Sequence, residues 1–139
     1  MSETNKALVR SFINAFNEND MERVDALITD GYTYHGPGQE ITGRETIREL
    51  MGMYKTAFPD ATITVIDQIA EGDLVVTRGR ATGTHDGPLD TIPASGETVD
   101  LALIAIHRIE NGRLVEEWEL FEELQMLQQI GAIASEEAA

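Results

Sequence analysis

The sequence predicts an α+β fold: a cone-shaped, curved antiparallel sheet with three N-terminal helices packed on its concave face, a cystatin-like α+β barrel. Apolar residues recur at helical spacing up to Pro59. Beyond Pro59 the chain alternates in polarity and is rich in β-branched residues. A late Asn111-Gly112 pair marks a tight hairpin. Helices followed by a meander predict one sheet covered on one side.

The three helices are each marked by their boundaries. The first covers residues 4–17, and the second follows Asp20, whose carboxylate can cap it. Thr42 and Glu45 form the T-x-x-E pattern of a capping box, which predicts the start of the third helix. Pro59 ends that helix because proline cannot continue one.

Four strands are predicted after Pro59. The segments "ATITVIDQIA" and "DLVVTRGRATGTH" are joined by the turn "EGD", and "ETVDLALIAIHRI" and "RLVEEWELFE" are joined around Asn111-Gly112. The segment "ELQMLQQIG" predicts a short closing helix. A curved sheet closed by helices leaves an open mouth, so we expect one pocket for a small molecule.

Length and composition indicate a single domain over residues 1–139, with residues 134–139 as a frayed tail. Apolar residues make up 42% of the chain, which is enough for a core, and there is no cysteine for disulfide or thiolate chemistry. No stretch approaches the length of a membrane span, and the N-terminus lacks an apolar secretory segment. We therefore expect a cytoplasmic protein.

The chain is strongly acidic, with a formal net charge of −15. This charge argues against nucleic acid and anionic membranes as partners, because both attract positive charge. Lys6 and Lys55 are the only lysines. An acidic surface with few lysines favours either simple solubility or adaptation to high salt, where screening reduces self-repulsion.

The Asn111-Gly112 turn fixes a register in which Glu110 pairs with Arg113. Cross-strand partners share a face, so two faces of the last hairpin can be listed. The predicted pocket face carries Leu101, Leu103, Ala105, His107, Leu114, Glu116, Trp118, Leu120 and Glu122. The predicted outer face carries Ala102, Ile104, Ile106, Arg108, Val115, Glu117, Glu119 and Phe121. A one-residue bulge would exchange these assignments.

In this register Glu122 and His107 are the candidate catalytic pair. A carboxylate at the apolar end of a pocket has a raised pKa, which suits it to remove a proton from carbon. A histidine on the neighbouring strand can accept or deliver a second proton. Two structural readings stay open: Glu122 can simply begin the last helix, where an acid favours the helix dipole, and His107 can be a core residue.

The chain resembles the SnoaL-like polyketide cyclases of the nuclear transport factor 2-like superfamily over residues 5–133. The most specific stretches are "GTHDG…IPASG" and "GRLVEEW…LQQIG". The resemblance implies ring closure by intramolecular aldol condensation without metal or cofactor. It also places the family's W-x-x-x-D acid on Glu122, four residues after Trp118, and its histidine on His107. Glutamate in place of aspartate lengthens the reach of the carboxylate by one methylene.

Further side chains are predicted to line the pocket, with core packing as the alternative for the aromatic and methionine residues. These substrate-binding candidates are Phe12, Phe16, His35, Met51, Tyr54, Arg78, Leu103 and Trp118. His85, in a loop, is either structural or at the pocket mouth. The histidines show no spacing typical of metal ligands, so no metal site is predicted.

Three classes of function remain. The first is a small-molecule enzyme, a cyclase or isomerase, with an epoxide-hydrolase-like reaction as a variant on the same fold. The second is a non-catalytic binder of an apolar or aromatic molecule, and the third is an interaction module. Separately, a homodimer or larger homo-oligomer is expected through an outer-face patch of Ile104, Ile106, Val115 and Phe121.

Overall fold

In the computed structural model, residues 2–134 are described, and residues 135–139 of the predicted tail lie outside that range. The elements in chain order are α1 (Ser2–Asn17), α2 (Met21–Leu27), β1 (Ile28–Gly36), β2 (Gln39–Thr42), α3 (Arg44–Ala57), β3 (Thr62–Glu71), β4 (Leu74–Thr84), β5 (Thr98–Glu110), β6 (Arg113–Phe121) and α4 (Glu123–Gln129). The predicted α+β class, with three helices preceding an antiparallel meander, is confirmed.

The sheet contains six strands in the order β2-β1-β6-β5-β4-β3 and does not close. Strands β3 to β6 are the predicted meander. The two added strands come from the segment around "GYTYHGPG", which lies between the second and third helices. Strand β1 runs parallel to β6, with Thr33 opposite Glu116 and Tyr34 opposite Glu117. This pairing brings the N-terminal tyrosines beside the glutamates of β6.

The helix boundaries follow the prediction except at one cap. Asp20 caps α2 by accepting a hydrogen bond from the backbone N–H of Arg23 at 3.2 Å. The predicted capping box at Thr42 is wrong, because Gly43 is the N-cap of α3 at φ 102° and no side chain bonds to the helix start. Thr42 instead ends β2, where its hydroxyl lies 3.2 Å from that of Thr33.

The β5–β6 hairpin contains a β-bulge that changes the faces of β6. Glu110 does pair with Arg113, so the predicted turn is correct. Val115 is then left as an extra residue between the pairs Ile109–Leu114 and Arg108–Glu116. A bulge lets a strand bend with a curved sheet, and it reverses every later side chain.

Strand β5 consequently has the predicted faces, whereas β6 beyond Leu114 has the opposite ones. The inward side chains of β6 are Leu114, Glu117, Glu119 and Phe121. Of the predicted outer patch, Ile104 and Ile106 face outward, Phe121 faces inward, and Val115 occupies the bulge.

The core lies between the concave face of the sheet and α1, α2 and α3. Its fully buried members include Val9, Val24, Ile47, Val75 and Leu114. Within residues 2–134, no helix is both long enough and apolar enough to cross a membrane.

Candidate active site

A cavity of about 160 Å³ lies between the concave face of the sheet and helices α1, α3 and α4. Most of its lining is aliphatic or aromatic. Its aromatic members are Phe12, Phe16, Tyr34, Tyr54, Phe58 and Phe121. Among the described residues that line it, none is basic and two, Glu117 and Glu119, are acidic. The cavity therefore combines an apolar wall with two carboxylates.

Each carboxylate is held by a tyrosine from β1. The Tyr34 hydroxyl donates to Oε1 of Glu119 at 2.6 Å, and the Tyr32 hydroxyl donates to Oε1 of Glu117 at 2.5 Å. Both tyrosines are buried, at 5% and 0% exposure. The two-residue spacing on β1 matches the two-residue spacing on β6, because side chains alternate along both strands. The strands thus form two parallel Tyr–Glu pairs.

Glu117 also faces His107, its direct cross-strand partner on β5. Oε1 of Glu117 lies 3.4 Å from Nε2 of His107, an ion-pair distance without the alignment of a hydrogen bond. The imidazole is 1% exposed and packs edge-on against Phe12, with ring centroids 5.6 Å apart. His107 is therefore inward, as predicted, but it lies behind Glu117 rather than on the cavity wall.

The two carboxylates differ in acidity. Burial, together with repulsion by Glu117, raises the pKa of Glu119 to about 7, although the Tyr34 hydrogen bond opposes this. Burial also acts to raise the pKa of Glu117, but the attraction of His107 and the bond from Tyr32 outweigh it, so that this pKa is lowered. Glu119 is one of the residues that line the cavity. Neighbouring carboxylates with separated pKa values are typical of acid–base sites.

Glu122, the predicted catalytic acid, does not line the cavity, so its predicted place on the pocket face is wrong, and its catalytic role stays a prediction. Its Oε1 accepts a hydrogen bond from the backbone N–H of Ala102 of β5 at 2.7 Å, just after the end of β6. Trp118, predicted to line the pocket, stacks on His35 on the outer face, with ring centroids 5.4 Å apart. Both errors follow from the bulge at Val115, which reverses the side chains after it.

His35 and Arg78 also lie away from the cavity, contrary to the prediction. Nε2 of His35 lies 2.6 Å from Oε2 of Glu116, on the same outer face. Arg78 of β4 forms a double hydrogen bond with Asp67 of β3, at 3.1 and 2.6 Å. An exposed strand position next to an opposite charge keeps the guanidinium in solvent.

The remaining predicted pocket residues do line the cavity, and their contact with a ligand stays a prediction. They are Phe12, Phe16, Met51, Tyr54 and Leu103. His85 is fully buried in the loop after β4, where its Nδ1 accepts a hydrogen bond from the backbone N–H of Ser95 at 3.2 Å. This bond supports the structural reading of His85.

Three cavity-lining residues were not predicted from the sequence: Tyr34, Glu117 and Glu119. A usable signal was present: Tyr32 and Tyr34 sit on one face of a strand, and buried phenols require acceptors. Within residues 2–134, His, Asp and Glu side chains nowhere form a group of three that could hold a metal ion.

Several solved structures share this fold over nearly the whole chain. IdmH from Streptomyces antibioticus, a proposed polyketide cyclase, is 30% identical with a TM-score of 0.81, and the match covers 91% of this chain and 98% of IdmH. TsrD from Streptomyces laurentii is 30% identical with a TM-score of 0.84, covering 94% of this chain and 97% of TsrD. A proposed SnoaL-like polyketide cyclase from Jannaschia sp. CCS1 is 23% identical with a TM-score of 0.88, covering 95% and 94%, and at that identity it supports the fold alone.

Comparison with curated proteins gives no significant match. Comparison with family models does give one. The family model described as SnoaL-like polyketide cyclase matches residues 6–130, which include the cavity, both Tyr–Glu pairs and His107. The chain belongs to the SnoaL-like polyketide cyclase family.

Proposed function

We propose that the protein is a cofactor-free acid–base enzyme that closes a ring in an apolar or aromatic small molecule by intramolecular aldol chemistry, with Glu119 as the base. The observation that carries the proposal is a carboxylate with a pKa near 7 in an apolar cavity, beside a second carboxylate that stays ionised. A base whose pKa lies near the working pH is effective in proton transfer from carbon.

The proposed reaction conserves every atom of the substrate. Ionised Glu119 takes a proton from the carbon next to a carbonyl group, and the C–H electron pair becomes the enolate. The enolate carbon attacks a second carbonyl carbon of the same molecule, forming a C–C bond and leaving an alkoxide. Glu119 then returns its proton to the alkoxide oxygen. The cavity contributes by orienting the two carbonyl groups and excluding water.

Glu117 is the weaker candidate for the base although it also lines the cavity. Its lowered pKa makes it a poorer proton acceptor near pH 7, and Tyr32 and His107 both engage its Oε1. In this proposal its charge helps to keep the proton on Glu119. Tyr54 also lines the cavity, and burial raises its pKa to about 12. Its phenol therefore keeps its proton and can donate a hydrogen bond to a substrate carbonyl.

Hydrogen–deuterium exchange tests proton abstraction without knowledge of the natural substrate. A suitable probe is methyl 2-naphthoylacetate, an aromatic β-keto ester, followed by NMR in D₂O. We expect the protein to accelerate exchange of the protons between its carbonyl groups, with a rate that rises with pH through about 7 and then levels off, because Glu119 must be ionised to act. An exchange rate equal to that in buffer at every pH would contradict the proposal.

A non-catalytic binder is the second candidate, and the mainly apolar lining favours it. The same probe separates the two: a binder shifts the NMR signals of the probe without accelerating exchange. An epoxide-hydrolase-like reaction has less support, because the described cavity lining includes no arginine.

We also propose a homodimer through the outer face of the sheet. Neighbouring strands place apolar side chains side by side there, and several are exposed: Ile69 at 70%, Ile104 at 50%, Trp118 at 37% and Leu120 at 72%. These four residues, with Ile106, are called the outer-face patch from here on, in place of the set predicted from the sequence. Charged pairs such as Arg78–Asp67 and Arg80–Asp100 flank it. An apolar patch with a polar rim is typical of a protein interface.

The substitution Leu120→Glu is expected to convert the dimer into a monomer, because it places a charge in the middle of the outer-face patch. Light scattering at micromolar concentration would report the mass. Leu124→Glu adds the same charge at an exposed apolar residue of α4 and should leave the dimer intact. A wild-type protein that is monomeric in both low and high salt would refute the dimer.

The acidic composition leads us to propose adaptation to high salt. With a net charge of −15, self-repulsion should weaken as salt is added, so the unfolding temperature is expected to rise between about 0.1 M and 2 M KCl. Sodium sulfate at equal ionic strength measures the separate salting-out effect. An unfolding temperature that does not rise in KCl would rule out this adaptation.

A further inference from the structure

We propose that Tyr34, seated against Gly36, is a positioning residue that binds Oε1 of Glu119 and leaves Oε2 as the oxygen that exchanges a proton with the substrate. The part of this inference that involves the substrate rests on the proposed function. The location of the proton on Glu119 can be tested without a substrate.

In the Tyr34–Glu119 pair, the phenol of Tyr34 is the hydrogen-bond donor. Among the described residues, Glu119 is the only hydrogen-bond partner of the Tyr34 hydroxyl, at 2.6 Å. Burial and the nearby carboxylate raise the pKa of Tyr34, so the phenol keeps its hydrogen. If Glu119 donated instead, the phenol hydrogen would be left unpaired in a buried site, which is costly. Tyr34 therefore donates to Oε1.

The other oxygen of Glu119, Oε2, carries the proton of the neutral acid, because Oε1 is occupied as the acceptor of the Tyr34 hydrogen bond. The other titratable groups facing Glu119 are Glu117, His107, Tyr32 and Tyr54, and none of them hydrogen-bonds to Glu119. The neighbouring wall of the cavity is apolar. Oε2 is accordingly the oxygen free to meet a C–H group in the cavity.

The Tyr34 ring occupies the space that a side chain at position 36 would fill. Gly36 follows two residues later on the same face of β1, and a Cβ atom there would lie 2.5 Å from both the hydroxyl oxygen and Cε2 of Tyr34. Any side chain at position 36 would therefore push the ring from its place. The absence of a side chain at Gly36 lets the phenol lie along the strand and reach Glu119.

The bond predicts a measurable change in the titration of Glu119. A donor to a carboxylate favours the ionised form, so its removal raises the pKa. A hydrogen bond to a carboxylate lowers the pKa of that group by about one pH unit. The tested variants are Tyr34→Phe, which deletes the hydroxyl, and Gly36→Ala, which keeps every titratable group but displaces the ring.

The experiment is a ¹³C NMR titration of protein labelled at the glutamate side-chain carboxyl carbons, with the Glu119 signal identified by its loss in Glu119→Gln. We expect a wild-type midpoint near 7 and a higher midpoint in both Tyr34→Phe and Gly36→Ala. A matched control, Gly31→Ala, should leave it in place, because the added Cβ on β1 meets no atom within 4 Å.

The outcomes distinguish this inference from the proposed function. An unchanged or lower midpoint in both Tyr34→Phe and Gly36→Ala would overturn the role of Tyr34, whatever the activity. Should Tyr34→Phe fail to fold, Gly36→Ala alone decides, since it retains the phenol. If wild-type protein does not accelerate exchange in the β-keto ester, the proposed function fails, while the titration still decides whether Tyr34 positions the proton.

Discussion

Glu119→Gln is expected to reduce the exchange rate of the aromatic β-keto ester by a factor of about 10²–10⁴, the usual contribution of a general base. Glutamine keeps the size of the side chain and can still accept the hydrogen bond from Tyr34, so the loss is confined to proton transfer. The measurement is the initial rate of deuterium incorporation at pH 8, where most of the wild-type Glu119 is ionised.

Two other glutamates of the same segment provide controls for this result. Glu116 contacts His35 and Arg108 on the outer face, and Glu122 binds the backbone N–H of Ala102. Glu116→Gln and Glu122→Gln should therefore retain nearly all activity. Loss of activity in Glu122→Gln but not in Glu119→Gln would show that the acid implied by family resemblance acts here after all.

The location of the cavity could be predicted from the sequence, whereas the acidic residues that line it could not. Alternation along β5 correctly placed Leu103 and His107 inward, and Asn111-Gly112 correctly fixed the turn. A hairpin turn determines only the first pairs, however. One extra residue, Val115, reverses the strand after it, and its own side chain gives no signal of a bulge.

The pairing of β1 with β6 was not predicted, for a different reason. Tyr34 and Glu117 are direct neighbours in a parallel pairing, yet most of the chain separates them. Parallel strands have no turn between them to mark their register, and local patterns carry no information on such partners. The need of two buried phenols for acceptors is a non-local signal, and it would have favoured Glu117 and Glu119 over Glu122.

Replacing each of the two cavity glutamates by glutamine should change the stability of the protein in opposite directions near pH 8. The pKa of Glu119 is raised from the ordinary value of 4.5 to about 7 in the folded protein. Between these values the unfolded chain releases its proton while the folded chain retains it, so stability falls as pH rises. That difference corresponds to about 3 kcal/mol of unfolding free energy once both states are ionised.

Glutamine at position 119 does not titrate, so Glu119→Gln does not lose stability in this way. Between pH 5 and pH 8, the free energy of unfolding of the wild type should therefore fall relative to that of the variant. At pH 5 the wild type holds a neutral acid and the two proteins should differ little. By pH 8 the variant should be more stable by up to about 3 kcal/mol, less the cost of its unpaired amide N–H groups, about 1 kcal/mol or more.

Glu117→Gln should act in the other direction. The pKa of Glu117 is lowered in the folded state, so its ionised form contributes stability above about 4.5 that is lost as pH falls through the folded pKa. Glu117→Gln also weakens the contacts of this buried carboxylate with Tyr32 and His107, and the loss of a hydrogen bond to a charged group generally costs about 1.5–3 kcal/mol. Urea unfolding at pH 5 and pH 8, at one protein concentration so that dimerisation contributes equally, measures both variants. Glu122→Gln, just after the end of β6 and outside the cavity lining, serves as the near-neutral reference. If Glu119→Gln destabilised the protein at pH 8 as much as Glu117→Gln, the pKa of Glu119 would not be raised in the folded state. The cavity would then lack a base with a raised pKa, and the acid–base proposal would lose its main physical support.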